Sequence, residues 1–294
     1  MPDCYARAAM RPGVVGLLPG RPAEITAEHA RRLRETGFTG ASVQIQDPDT
    51  FKADDLSHAR TLLAAEGVRV AQANANYVAL VHPDEGQRAA GVQQARRACR
   101  AARILDAVYL LIRPGSLNPS GNWRPHRDNH SEATRERLID SLRQVCSAAE
   151  VEGVTIGLEC HVISPLDSPR KVRQVIEAVG SPALKYNCDP VNFVGSFPEA
   201  YDTASVVREI FAELGQYVVS AHVKDLCLGE RLVVHIDECA PGEGIFDLDT
   251  FVRLFEQHLP DGYALIEHLP DAKIPSAKAA LDGVLARTGI AWKM

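Results

Sequence analysis

Four stretches of this 294-residue chain end in the same way. Val154-Thr-Ile-Gly-Leu runs into Glu159, Leu184-Lys-Tyr-Asn-Cys into Asp189, Val218-Val-Ser-Ala into His222, and Tyr263-Ala-Leu-Ile into Glu267. Each is a short, mostly apolar segment of β-strand character that delivers one metal-ligating side chain at its C-terminal end. The intervals are 30 (159 to 189), 33 (189 to 222) and 45 residues (222 to 267), each with room for a helix. Three carboxylates and one imidazole on four successive strand ends read as one divalent-metal site. Brought together, the carboxylates repel strongly unless a cation neutralises them. The oxygen-rich set suits Mn²⁺ first, with Mg²⁺, Co²⁺ or Zn²⁺ as alternatives, and it lacks the thiolates of a structural zinc site.

Such ends meet only if the strands are parallel neighbours. The spacing predicts strands at 14–18, 38–45, 68–73 and 108–112 ahead of the four above. Helices are expected at 27–35, 54–66, 85–105, 132–152, 168–179, 199–214, 246–258 and 277–286. Thr26 supplies a cap for the first and Gly37 a stop. Eight short β/α units, rich in Val, Ile and Leu, fit an α/β fold: a (β/α)8 TIM barrel with a parallel eight-stranded core, one domain over residues 1–294. An open doubly wound sheet would want a Gly-rich phosphate turn after the first strand, and the chain has none. Long connections are expected at about 114–131 and 225–245. In the second, residues 231–236 are expected to form a small hairpin arm.

Bulk composition narrows the function. A formal net charge of −6 argues against a general nucleic-acid binder, which needs excess Lys and Arg to neutralise phosphates. The seven cysteines, at 4, 99, 146, 160, 188, 227 and 239, form no CxxC pair, so the reading is a reduced, cytoplasmic protein. The first residues have no apolar core of signal-peptide length, and no segment is apolar enough to span a membrane.

The Glu159 strand, Cys188-Asp189-Pro190, His222-Val-Lys224-Asp225, the following Gly242-Glu-Gly244-Ile-Phe-Asp247 and the Glu267 strand together resemble the xylose isomerase-like TIM-barrel superfamily. That superfamily includes sugar isomerases and epimerases, inosose dehydratases and endonuclease IV-type repair enzymes. The resemblance places its four metal ligands on Glu159, Asp189, His222 and Glu267. The repair branch has further histidines where this chain has Asn192 and Arg113, which, with the acidic balance, sets that branch aside. For the sugar enzymes the resemblance implies a metal-dependent isomerase or epimerase. A keto-sugar or related polyol would lose its α-proton, and the metal would stabilise the resulting enediolate. Glu159 and Glu267 are then the catalytic pair, one removing and one returning the proton. A lyase of the same superfamily, an inosose-type dehydratase or 3-keto-glycoside deglycosidase, begins with the same step and is the alternative. A non-catalytic barrel subunit is the third reading.

Further candidates surround the strand ends. His161, two residues beyond Glu159, and Lys224, two beyond His222, alternate back toward the same side. Arg113 closes the fourth strand, and Asn192 follows Asp189 by three. Trp123, His126 and His130 sit on the first long loop, where they could close over a sugar. His161, Arg113, Asn192, Lys224, Trp123 and His126 are the expected substrate contacts. Cys160, Cys188 and His268 flank ligands and are expected to be packing residues, with Glu243 serving loop geometry. A carbohydrate is thus the expected partner, and the long loops are where a second subunit of a homo-oligomer could touch.

Overall fold

The computed structural model describes residues 9–294; Cys4 and the N-terminal segment examined for a signal lie outside them. Ten strand segments and nine helices succeed one another before a last short strand. They are β1 (Ala9–Val14), α1 (Ala27–Glu35), β2 (Gly40–Ile45), α2 (Ala53–Ala65), β3 (Arg69–Ala75), α3 (Glu85–Ile104), β4 (Tyr109–Ile112), α4 (Glu132–Glu152), β5 (Ile156–Leu158), α5 (Pro169–Val179), β6 (Leu184–Cys188), α6 (Phe197–Tyr201), α7 (Thr203–Leu214), β7 (Val218–Val223), β8 (Asp225–Leu228), β9 (Ile236–Cys239), α8 (Leu248–His258), β10 (Tyr263–Ile266), α9 (Ile274–Thr288) and β11 (Ala291–Trp292).

Strands β1 to β7 and β10 pair in parallel, each with the next, and β10 returns to β1. The seam runs from Arg11 opposite Tyr263 to Val14 opposite Ile266. This is the closed eight-stranded (β/α)8 barrel that the periodicity predicts. Closure satisfies every barrel strand on both edges, which an isolated apolar strand could not achieve. The helices start and stop on local chemistry. The Thr26 hydroxyl caps α1 by accepting from His29 N–H, and Ser131 does the same for α4 through Thr134 N–H. The latter ends on Gly153 at φ 67°, a left-handed position that suits glycine.

Apolar side chains fill two layers. The larger lies between strands and helices, and the smaller, Ala71, Tyr263 and Leu265, lies inside the barrel. Two glycines make the inner layer possible. A Cβ on Gly40 would stand 2.5 Å from the Tyr263 ring, and one on Gly157 would collide with the ring of Tyr109. The rings occupy the volume that those residues leave free.

Four expectations need correction. The first strand is β1, not 14–18: Pro12 lies within it and its carbonyl accepts from Thr39 N–H at 3.0 Å. Gly13 packs there so closely on Leu265 that a Cβ would stand 2.8 Å from its Cγ. The helix expected at 199–214 is broken in two. Asp202 leaves helical geometry (φ −131°, ψ 60°) and its carboxylate caps α7 through Ser205. The hairpin arm is built from β8 and β9 in antiparallel register, with residues 231–235 in the connection between them rather than in its strands. Finally, β11 adds a short strand outside β1 that the sequence pattern does not announce.

Candidate metal centre and active site

The barrel strands run in one direction, so their C-terminal ends share one mouth. Glu159 follows β5, Asp189 follows β6, His222 lies near the end of β7, and Glu267 follows β10. All four are buried, and one ligand atom from each lies within 4.8 Å of all the others. His222 Nδ1 stands 3.0 Å from Glu159 Oε1, 3.0 Å from Glu267 Oε2 and 3.7 Å from Asp189 Oδ2.

The other imidazole nitrogen is fixed from below. His222 Nε2 sits 2.7 Å from Gln72 Oε1, and an amide oxygen can only accept, so Nε2 carries the proton. Gln72 is itself held by its Nε2–H, which donates to Ser42 Oγ at 3.0 Å, and by the Tyr109 hydroxyl, which donates to its Oε1. The ring is thereby aimed with Nδ1 at the carboxylates, the arrangement by which outer hydrogen bonds orient a metal-ligating histidine.

Electrostatics of the cluster are those of a cation site. Burial disfavours charge on every group, yet attraction among them prevails for four. His222 and Lys224 hold Glu159 below the usual carboxylate range and Glu267 well below it. The carboxylates in turn push His222 and Lys224 well up. Asp189 goes the other way, because burial raises it more than Lys224 lowers it. Both oxygens of Asp189 and Oε1 of Glu267 lack a hydrogen-bond partner although fully buried. Lys224 Nζ approaches Asp189 Oδ2 at 2.8 Å and Glu267 Oε1 at 2.9 Å, but neither contact has hydrogen-bond alignment. Three carboxylates against one ammonium leave two negative charges when His222 is neutral, and a divalent cation cancels both. The donor set and its orphaned oxygens therefore fit a divalent ion.

Above the cluster lies a cavity of about 500 Å³. It is lined by Arg113, Trp123, Glu159, His161, Asn192, Lys224 and Glu267, so five of the six expected substrate contacts face it. Arg113 is pinned by Asn74 Oδ1 at 2.9 Å and the Ala75 carbonyl at 2.8 Å. Trp123 crosses over it, 5.9 Å from guanidinium to ring centroid, and meets the His161 ring edge-on at 6.3 Å. His161 Nδ1 accepts from Ile163 N–H, which leaves its Nε2–H free to donate.

His126, the sixth, does not line this cavity. Its Nδ1 accepts from Asp128 N–H and caps the short 3-10 turn Arg127–His130. His130 is likewise engaged elsewhere, 2.9 Å from Asp167. Cys160 and Cys188 are buried, as packing residues should be. Glu243 ion-pairs with Lys273 at 3.2 Å.

The structure also explains the His-x-Lys-Asp and Gly-x-Gly motifs. The Asp225 carboxylate accepts N–H groups from Leu226, Gly242, Gly244 and Phe246, at 2.8 to 3.1 Å. One buried aspartate thus ties the base of the arm to the loop before α8. Gly244 lies so close to Asp225 and the Leu226 carbonyl that no side chain fits.

Some site residues escaped the sequence reading. Gln72 and Tyr109 lie inside the barrel beneath His222, and a glutamine in the middle of an apolar strand was the available signal. His268, expected to pack, instead lines the cavity in left-handed backbone (φ 57°), its Nδ1 2.9 Å from Glu238 Oε2. Glu238 reaches the cavity from β9, and nothing in its local sequence marks it.

A family model described as xylose isomerase-like TIM barrel matches residues 30–287. The chain belongs to the xylose isomerase-like TIM barrel family. No curated protein matches it by sequence. Solved structures share the family's fold at low identity. A D-tagatose 3-epimerase-like protein superposes with a TM-score of 0.73 at 18% identity, covering 95% of this chain and 98% of that one. A xylose isomerase-like TIM barrel protein from Mycobacterium smegmatis in complex with magnesium gives 0.70 at 17%, covering 98% and 99%. The "probable 3-DHS dehydratase AsbF" from Bacillus anthracis gives 0.69 at 14%, covering 94% and 99%. Solved structures named for epimerisation and for dehydration thus share this barrel. None of the helices in the described residues is long and apolar enough to cross a membrane.

Proposed function

We propose that this protein is a divalent-metal-dependent isomerase or epimerase of a keto-sugar or related polyol. The observation that carries the reading is the convergence of Glu159, Asp189, His222 and Glu267, with orphaned oxygens, on the floor of a polar cavity of sugar size. These four residues would hold the ion, with Mn²⁺ favoured and Mg²⁺ also suited to so oxygen-rich a set. When bound, the ion supplies positive charge beside the substrate carbonyl and makes the neighbouring C–H more acidic.

The chain's own groups do the rest. Glu159 and Glu267 reach the cavity floor from β5 and β10, strands separated around the barrel by β6 and β7. A substrate lying between them exposes one face of its reacting carbon to each. One carboxylate removes the proton and the other returns it on the opposite face, which inverts the centre. Arg113, His161 and Asn192 offer hydroxyl-binding groups along the wall, and Trp123 covers the ring and excludes water.

The test is turnover of a keto-sugar panel by Mn²⁺-loaded protein, followed by Glu159→Gln. Removal of a proton-transferring group is expected to lower kcat by roughly 10²–10⁴-fold with KM little changed. Unchanged turnover in the variant refutes the assignment. The dehydratase among the structural neighbours supports a lyase as the second reading. Mass spectrometry separates the two, since an epimer keeps the substrate's mass and an elimination product is lighter by one water.

A further inference from the structure

Lys224 is nearly fully buried, yet its contacts are of two kinds. It donates aligned hydrogen bonds to Asn192 Oδ1 at 3.3 Å and to Glu238 Oε1 at 3.0 Å. Toward Asp189 Oδ2 and Glu267 Oε1 it is equally near but misaligned, and those oxygens remain without a hydrogen bond. The ammonium therefore serves the ligand carboxylates only as a loose counter-charge. Its directional bonds lead away from them, to the short 3-10 turn Pro190–Phe193 after β6 and to the arm.

We infer that Glu238, carried by the β8–β9 arm, is a positioning residue that takes up the Lys224 ammonium when a divalent ion occupies the cluster. The inference rests on the metal reading above. An ion bound to Asp189 and Glu267 claims the two oxygens that Lys224 now approaches. Two cations cannot share those oxygens without strong repulsion in a buried site. The ammonium then moves along the hydrogen bonds it already makes, toward Asn192 and Glu238. Of these two acceptors Glu238 is the anion. Its side chain is about two-fifths exposed, so it can follow the ammonium at little packing cost. Its second oxygen is held by His268 Nδ1 at 2.9 Å, which keeps the carboxylate at the mouth.

The experiment is a double-mutant cycle on Mn²⁺ affinity, measured by titration calorimetry on the full chain without substrate. Glu238→Gln deprives the displaced ammonium of its acceptor and is expected to weaken Mn²⁺ binding by about tenfold, the size of a charge-assisted hydrogen bond. Lys224→Met removes the competing cation and is expected to tighten it. In the Lys224→Met background, Glu238→Gln is expected to change affinity by less than twofold, because no ammonium remains to be relocated. Lys224→Gln also removes the charge and is expected to shrink the Glu238 effect in the same way, which covers the case in which Lys224→Met does not fold. Equal losses from Glu238→Gln whatever stands at 224 would show that Glu238 acts only through its field and would overturn the inference. Wild-type protein that binds no Mn²⁺ would overturn both this and the metal reading.

Discussion

Replacing Gln72 by leucine perturbs the centre without touching a ligand. Leucine is similar in size, so the barrel interior keeps its volume, but it has no oxygen for His222 Nε2–H. The Tyr109 hydroxyl keeps Asn187 Oδ1 at 2.9 Å, and Ser42 loses one donor. The main cost is thus one buried imidazole N–H left unpaired, about 1–3 kcal/mol of stability. At roughly 2–4 °C per kcal/mol for a chain of this size, Tm is expected to fall by about 2–12 °C. The larger consequence is for the ion. Without Gln72 the imidazole is free to place its proton on Nδ1, where Glu159 and Glu267 both lie 3.0 Å away to accept it. A protonated Nδ1 cannot ligate. Loss of such an orienting partner is expected to weaken metal binding by about 10–100-fold. Calorimetric titration with Mn²⁺, alongside thermal unfolding of the metal-free protein, reads both effects. A folded Gln72→Leu variant whose Mn²⁺ affinity lies within twofold of wild type would refute the argument that Gln72 sets the tautomer.

Two further substitutions probe the scaffold and the cavity. Gly40→Ala places a methyl 2.5 Å from the Tyr263 ring and 2.9 Å from Ala71 Cβ; overpacking is expected to cost about 1–3 kcal/mol, visible in urea unfolding, and an unchanged midpoint would contradict the inner-layer packing. Trp123→Ala removes a ring that is 42% exposed and so leaves Tm nearly unchanged, while KM for a turned-over sugar is expected to rise several-fold, of the order of one lost aromatic contact of about 1 kcal/mol; an unaltered KM would show that this loop does not cover substrate.

What the sequence determined by itself is what local chemistry dictates. Periodicity marked eight short apolar strands and the helices between them, and polar residues at four of their ends marked the candidate ligands. Those features are legible because strand and helix patterns repeat every two and 3.6 residues, and because a charged residue ending an apolar run stands out against it. What the sequence could not supply was anything depending on contacts between distant segments. Gln72 reaches His222 across 150 residues. Glu238 enters the cavity only because Asp225 gathers four N–H groups and folds the arm back over the mouth. His126 is the exception, turned aside by a local contact: its Nδ1 accepts from the backbone two residues ahead, and capping that turn kept it from the cavity. The candidate ligands were fixed by which residues end the strands. Their orientation, their counter-charge and the walls around them were decided by closure of the barrel, which alone sets the distances at which charges and hydrogen bonds act.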